Sequence, residues 1–157
     1  MDYIPYLLRA AELSEQARAA GNTPFGAVLI DENGTIIEEQ ANIEITEKIC
    51  TGHAECSLAA RASHKYSREF LWNCTLCTSV EPCAMCTGAI YWANIGTIVY
   101  GMEERKLLQL TGNNEQNPTF DLPCREILAH GQKKIRVFGP FPEVEAAILK
   151  AHRGCWN

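Results

Sequence analysis

The sequence lacks any apolar run approaching the ~20 residues that a helix needs to cross a bilayer. It also lacks internal repeats and low-complexity tracts over its 157 residues. The N-terminal segment, residues 1–15, carries Asp2, Arg9 and Glu12 among its apolar residues. It therefore does not form the uncharged apolar stretch of a secretory signal. We therefore expect a cytoplasmic protein without a membrane partner, folded as one domain over residues 1–157.

Positive charge is also scarce, because 14 Lys and Arg residues face 19 Asp and Glu residues, for a net charge of −5. Affinity for nucleic acid is built mainly from Lys and Arg contacts to phosphate. A nucleic-acid partner is therefore not expected. The one compact basic cluster, formed by Lys133, Lys134 and Arg136, is interpreted as a solvated strand edge.

Cysteine, by contrast, is abundant, with eight residues. A secreted mini-protein would use them as a disulfide framework, but this chain shows no export signal and is long enough to bury a core without such bridges. Metal binding or catalysis is therefore the better interpretation for at least some of the thiols.

Hydrophobic periodicity predicts helices and strands in alternation. Helices are predicted over residues 3–20, 53–63, 83–93, 103–110 and 144–152. Strands are predicted over residues 25–30, 35–39, 74–80, 97–100 and 135–138. Asn33-Gly34 predicts a hairpin turn, Pro82 is expected in the first turn of a helix, and residues 111–123 are expected to form a long loop. The alternation predicts a layered α/β domain with helices on both faces of a central sheet.

The strongest chemical signal is His53-Ala54-Glu55 followed by Pro82-Cys83-Ala84-Met85-Cys86. Cys83 and Cys86 are three residues apart at a predicted helix start, so both thiols share one face. The helix dipole there favours thiolates, the form that binds metal. With the His53 imidazole they offer three ligands, and a zinc ion with three protein ligands keeps its fourth position for water.

Glu55 lies two residues after His53, within reach of that water. Zinc lowers the pKa of bound water from about 15.7 toward ~7, and the resulting hydroxide can attack an amino-bearing ring carbon. Glu55 would carry the proton to the ring nitrogen and assist the departure of ammonia. H-x-E…P-C-x-x-C is the signature of zinc deaminases that act on bases. The sequence thus predicts a zinc-dependent hydrolytic deaminase.

A four-cysteine structural zinc site is the main alternative for the metal, with Cys74-x-x-Cys77 as the second pair. Only five residues separate the two pairs, whereas ~12–20 are usual. Cys74 and Cys77 are also expected on opposite faces of a strand. The remaining thiols are interpreted as buried and apolar: Cys50, Cys56, Cys74, Cys77, Cys124 and Cys155. The remaining histidines are interpreted as surface or capping residues: His64, His130 and His152.

Three stretches carry a resemblance to a known family: residues 23–28, Asn42 eleven residues before His53, and residues 79–92. Over nearly its whole length the chain resembles the cytidine-deaminase-like superfamily, and within it the bacterial guanine deaminases and related nucleobase deaminases. The resemblance implies a three-layer α/β/α fold with a mixed sheet of about five strands, a bound Zn²⁺ and a homodimer.

The same resemblance implies a set of substrate contacts for a small, nucleobase-like molecule. Phe25 would stack near the ring and Asn42 would meet the base edge, together with the Ala54 backbone N–H and the Glu81 backbone carbonyl. Trp156, on a C-terminal segment swapped across the dimer, would help to close the partner's site. The full set of expected contacts is Phe25, Asn42, Ala54, Glu81, Trp92, Asn114 and Trp156.

At Asn114 this chain departs from the pattern that it resembles. Guanine deaminases of this branch tend to have a carboxylate in this loop, whereas this chain has an amide. An amide both donates and accepts hydrogen bonds, whereas a carboxylate only accepts, so the preferred ring can differ from guanine. The alternatives are a cytosine or nucleoside deaminase, a tRNA adenosine deaminase, and a zinc-stabilised interaction module without activity. The acidic charge weighs against tRNA, and the presence of Glu55, which metal binding does not need, weighs against the module.

Overall fold

The computed structural model describes residues 1–156, which form five strands and seven helices. The helices are α1 Ile4–Ala19, α2 Ala54–Lys65, α3 Arg68–Trp72, α4 Ala84–Ala93, α5 Glu104–Thr111, α6 Cys124–Ala129 and α7 Pro142–His152. The strands are β1 Gly26–Ile30, β2 Ile36–Ala41, β3 Thr75–Val80, β4 Thr97–Met102 and β5 Arg136–Phe138. Among the described residues, none of the helices combines the length and the apolar character that crossing a membrane requires.

The strands form one mixed sheet in the order β2-β1-β3-β4-β5. β1 pairs antiparallel with β2 and β3, whereas β3, β4 and β5 run parallel to one another. The β1–β2 hairpin turns as predicted, because the Asp31 carboxylate accepts hydrogen bonds from the backbone N–H groups of Asn33 (2.9 Å) and Thr35 (3.0 Å). Gly34 supplies the positive φ of +83° that this turn needs.

Helices cover both faces of the sheet, which confirms the predicted three-layer α/β/α fold. Alternate residues of β1 contact different helical layers: Ala27 and Leu29 face one layer, and Val28 and Ile30 face the other. The first layer packs the apolar faces of α2, α3, α4 and α6 on the sheet, and the second packs those of α1, α5 and α7. Cys74 and Cys77 belong to opposite layers, as their strand spacing predicts.

Several details differ from the sequence-based expectation. The short helices α3 and α6 were not predicted, because five or six residues carry too little periodicity. Pro82 lies before α4 rather than in its first turn, since Cys83 is the N-cap. Cys50 is exposed and Cys56 and Cys155 are only partly buried, whereas Cys74, Cys77 and Cys124 are buried as expected.

The interpretation of His152 as a surface or capping residue is also wrong, whereas the solvated strand edge is confirmed for Lys134 and Arg136, which are exposed at the edge strand β5, and holds only in part for Lys133. His152 is buried, because α7 packs it against the Phe25 ring with centroids 5.4 Å apart, whereas His64 and His130 are exposed. Lys133 is not a purely solvated residue, since its ammonium lies 4.5 Å from the centroid of the Tyr91 ring and donates to the Tyr91 carbonyl.

Candidate active site

The candidate site lies where β3 ends and the N-termini of α2 and α4 meet. His53 is the N-cap of α2 and Cys83 is the N-cap of α4, both with extended backbone conformation. Cys86 lies three residues into the same first turn. The sequence therefore brings all three side chains to helix N-termini, where free N–H groups and the dipole stabilise anionic sulfur.

The three predicted ligands lie together in the geometry that zinc requires. The His53 Nδ1 atom is 3.6 Å from the Cys83 sulfur and 3.5 Å from the Cys86 sulfur, and all three ligand atoms lie within 4.8 Å of one another. In a tetrahedral site with bonds of about 2.3 Å to sulfur and about 2.05 Å to nitrogen, the N···S separation is about 3.6 Å. Within residues 1–156, no other group of three His, Cys, Asp or Glu side chains is assembled in this way.

The electrostatics of the Cys83 sulfur also fit a metal site. A hydrogen bond from the Cys86 thiol, together with the neighbouring His53, lowers the pKa of Cys83 to about 4. Cys83 is therefore a thiolate at neutral pH, ready to bind a cation. These residues fit a zinc ion held by one nitrogen and two sulfurs.

Glu55 lies in the first turn of α2 with only 6% of its surface exposed. Burial, followed by the nearby Cys83 sulfur, raises the pKa of Glu55 to about 7. A carboxyl group with a pKa near neutrality can both take up and release a proton under physiological conditions, which is the property a general acid–base needs.

A cavity of about 290 Å³ opens in front of this group. The residues that line it include His53, Glu55 and Cys83 and the apolar side chains of Phe25, Val80, Met85 and Leu107. The lining also includes three acidic residues and a loop segment: Glu44, Glu81, Glu104, Gln116, Asn117, Pro118, Thr119 and Phe120. The size matches the lower end of small-ligand sites.

The structure brings some of the predicted substrate contacts to this cavity and not others. Phe25 and Glu81 line it, and Ala54 is fully buried beside His53 at the start of α2. Asn42 is buried but does not line the cavity, since its amide oxygen accepts from the Glu44 N–H (3.0 Å). Asn114 does not line it either, because its side chain accepts from the Gln116 N–H (2.9 Å) within the loop. Gln116 and Asn117 occupy the wall instead.

The two tryptophans lie outside the cavity lining. Trp92 is 75% exposed on the last turn of α4, nine residues from Cys83, or about 13 Å along a helix. Trp156 packs on Phe25 of its own chain, with ring centroids 6.3 Å apart, and donates from Nε1 to His152 Nδ1 (3.1 Å). Within one chain the C-terminal segment therefore folds back on its own site, and a swapped arrangement stays a prediction.

Glu81 has a structural use beyond the backbone contact that the resemblance implies. One carboxylate oxygen accepts from the Glu104 N–H (2.9 Å) and the other accepts from the Cys124 N–H (2.8 Å). The side chain thus ties the N-termini of α5 and α6 to the end of β3, and both of its oxygens have partners.

Glu44 is a further site residue that the sequence analysis missed. Its carboxylate lies 3.7 Å from His53 Nε2, the ring nitrogen opposite the metal-facing Nδ1. It also accepts hydrogen bonds from the Thr23 hydroxyl (2.9 Å) and the Asn42 amide (3.4 Å). At this distance the two groups interact electrostatically rather than through a hydrogen bond, and the negative charge favours a proton on Nε2, which leaves Nδ1 free for a metal.

We expect Glu44→Gln to raise the dissociation constant for zinc about 10- to 100-fold, because its amide cannot support the imidazole as a carboxylate does. Competition with a chromogenic chelator measures this change. Glu47→Gln, an exposed position in the same loop, is the matched control and should leave the affinity unchanged. Equal affinities for the two variants would remove Glu44 from the metal site.

Residues 2–102 match the family described as the cytidine and deoxycytidylate deaminase zinc-binding region. This segment includes β1 to β4, both ligand-bearing helix starts and Glu55.

Two relatives and one solved structure extend the similarity over nearly the whole chain. A probable cytosine deaminase from Schizosaccharomyces pombe is 37% identical over 98% of this chain and 92% of its own length. A tRNA-specific adenosine deaminase from Haemophilus influenzae is 38% identical over 90% of this chain and 86% of its own. The solved structure of guanine deaminase from Bacillus subtilis is 28% identical, with a TM-score of 0.62 over 98% of this chain and 94% of its own.

Proposed function

Since this chain belongs to the cytidine and deoxycytidylate deaminase family, we propose that it deaminates a free nucleobase or a closely related amino-substituted ring. Its class is that of a zinc-dependent hydrolase. The observation that carries the proposed substrate is the small cavity of about 290 Å³, whose lining combines Glu55, His53 and Cys83 with the apolar side chains of Phe25, Val80, Met85 and Leu107.

In the proposed reaction, water replaces the amino group of a ring carbon, so that a keto group forms and ammonia leaves. Zinc, when bound, supplies an activated water, and His53, Cys83 and Cys86 hold the ion. Glu55 accepts a proton from the attacking water and delivers it to the ring nitrogen beside the reacting carbon. Glu55 then takes the second proton from the newly added hydroxyl group and transfers it to the amine, so that ammonia leaves as the keto group forms and the atoms and charges balance.

The neighbouring residues fix the ring in place. Phe25 lies at the cavity wall and is itself held by His152 and Trp156, whose rings are 5.4 and 6.3 Å away. Met85 and Leu107 add apolar surface, and together these groups exclude water from the ring faces. Asn42 and the Ala54 N–H remain proposed polar partners for the ring edge.

We propose guanine as the leading substrate candidate, on the resemblance of residues 79–92 and the structural similarity to a guanine deaminase. Cytosine is the second candidate, because the 37% identical relative that spans 98% of the chain is named a probable cytosine deaminase. A tRNA substrate is disfavoured by the net charge of −5, since phosphate contacts need Lys and Arg.

We further propose that residues 1–157 act as one deaminase domain and that two copies form a homodimer. The exposed Trp92 on α4 supports the second proposal, because a large aromatic side chain left in water is typical of interface centres. Sedimentation of the wild type and of Trp92→Ala tests it, and a wild-type monomer at assay concentration would contradict it.

An ammonia-release assay tests the proposed function. Purified protein with its zinc content measured is offered guanine, cytosine, adenine, their nucleosides, pterins, aminotriazines and a tRNA anticodon stem-loop. We expect about one zinc per chain and turnover of a free base. Turnover restricted to ribosylated substrates or to the stem-loop would refute the proposal, and zinc without any ammonia release would indicate a binding module.

A further inference from the structure

We infer that Glu104 determines substrate specificity by accepting a hydrogen bond from a ring N–H of the bound base. Its cavity-facing oxygen selects free bases over bases whose ring nitrogen carries a methyl group or a ribose. This inference rests on the proposed base deamination, and it names the substrate feature that the same site recognises.

Glu104 differs from the other carboxyl groups that line the cavity, because one of its oxygens has no hydrogen-bond partner among the described residues. Glu44 is used by Thr23, Asn42 and His53, and Glu81 is used on both oxygens by backbone N–H groups. Glu55 lies beside the metal ligands. Among these four glutamates, Glu104 is therefore the one to which no role has yet been assigned.

The hydrogen bonding of Glu104 shows which oxygen is available. Oε1 accepts from the Leu122 N–H at 3.3 Å, and within residues 1–156 Oε2 has no donor. Oε2 is not sealed inside the protein, because the one fully enclosed and unpartnered side-chain nitrogen or oxygen among the described residues is His152 Nε2. Since Glu104 lines the cavity and is only 2% exposed, this oxygen faces the space that a substrate would fill.

The surroundings of the Glu104 carboxyl group favour a ligand that donates a hydrogen bond to it. Burial is the main cause that raises the pKa of Glu104 to about 8, and the nearby Cys83 sulfur, Glu81 and Asp121 add to it, so the carboxyl group is mostly protonated at neutral pH before a base binds. A ring N–H that donates to Oε2 stabilises the carboxylate form and so lowers this pKa when the base binds. A carboxyl oxygen held in such a place without a donor gains more from a hydrogen bond than one in water does. A ligand with an N–H at this point satisfies it, whereas a ligand with a methyl group there leaves it unpaired and also crowds it.

Ring chemistry specifies where that N–H lies. In cytosine the N1–H is opposite the carbon that carries the amino group, and in guanine an imidazole N–H lies at the far end from the amino-bearing carbon. Ribose replaces the N1 or N9 hydrogen in the corresponding nucleosides. Recognition of this N–H therefore separates free bases from nucleosides, and it requires Glu104 to lie at the ring edge opposite the reacting carbon.

Matched substrate pairs test the inference: cytosine against 1-methylcytosine and guanine against 9-methylguanine. For the pair that is turned over, we expect wild-type kcat/KM to favour the N–H compound by roughly 10- to 100-fold. Glu104→Gln keeps an oxygen for Leu122 and can present an amide NH₂ to the cavity, so this ratio should fall to about 1–5. The change should lie mainly in KM for the N–H compound.

Glu103→Gln is the matched control, since Glu103 is exposed and immediately precedes Glu104. It should retain the wild-type ratio, and all three proteins should retain their zinc. An unchanged ratio in Glu104→Gln, with ammonia still released, would overturn the role of Glu104 while leaving the deaminase proposal intact. Absence of ammonia release by the wild type from every base would overturn both.

Discussion

Glu55→Gln is expected to lower kcat about 10²–10⁴-fold while the zinc content stays near one per chain. The amide has nearly the shape of the carboxyl but cannot accept or deliver a proton. Glu55 is buried in the first turn of α2 and is not one of the three grouped ligands, so the metal site should survive the change. Steady-state ammonia release and metal analysis on the same sample measure both properties.

The matched control for this prediction is Glu69→Gln, an exposed glutamate in α3. It should retain wild-type kcat. If Glu55→Gln kept most of its activity with zinc bound, Glu55 would have no part in proton transfer. If it lost zinc as well, its role would be structural rather than catalytic.

Cys83→Ala is expected to bring the zinc content close to zero and to abolish ammonia release. The Cys83 sulfur is one of three ligands, and its lowered pKa makes it the thiolate that binds a cation most readily at neutral pH. Two remaining side chains cannot hold zinc as a three-ligand site does. Metal analysis after dialysis against a weak chelator and the ammonia assay measure the two losses.

Cys50→Ala is the control, because that thiol is exposed and is not one of the three grouped ligands, and it should retain zinc and activity. Retention of one tightly bound zinc by Cys83→Ala would contradict the ligand assignment. Cys56 lies within hydrogen-bonding reach of Cys86 and is the candidate replacement in that case. The double variant Cys56→Ala, Cys83→Ala would then show whether it had taken over.

The ligand group could be predicted from the sequence because its geometry is local. The spacing of Cys83 and Cys86 needs only one turn of helix to place both sulfurs on one face, and His53 needs only a second helix start. The three-layer fold was also predictable, since β1 and β3 carry apolar residues whose two faces both need cover.

The rest of the site depends on contacts between distant residues. Glu44 acquires its role through Thr23 and His53, and Glu104 through Leu122, and neither pairing leaves a periodic signal. The loop after α5 was predicted to present Asn114, but the turn that Asn114 itself stabilises presents Gln116 and Asn117. Local sequence cannot indicate which residue of such a turn points inward.

The parallel pairing of β5 with β4 has an evolutionary consequence. To enter β5 at Arg136, opposite Thr97, the chain must travel back from the carboxyl end of β4, and this return path contributes residues to the cavity lining. It supplies the wall from Glu104 to Phe120, yet none of the three metal ligands. Exchanging this one crossover would therefore give a new substrate preference while the catalytic apparatus is inherited unchanged.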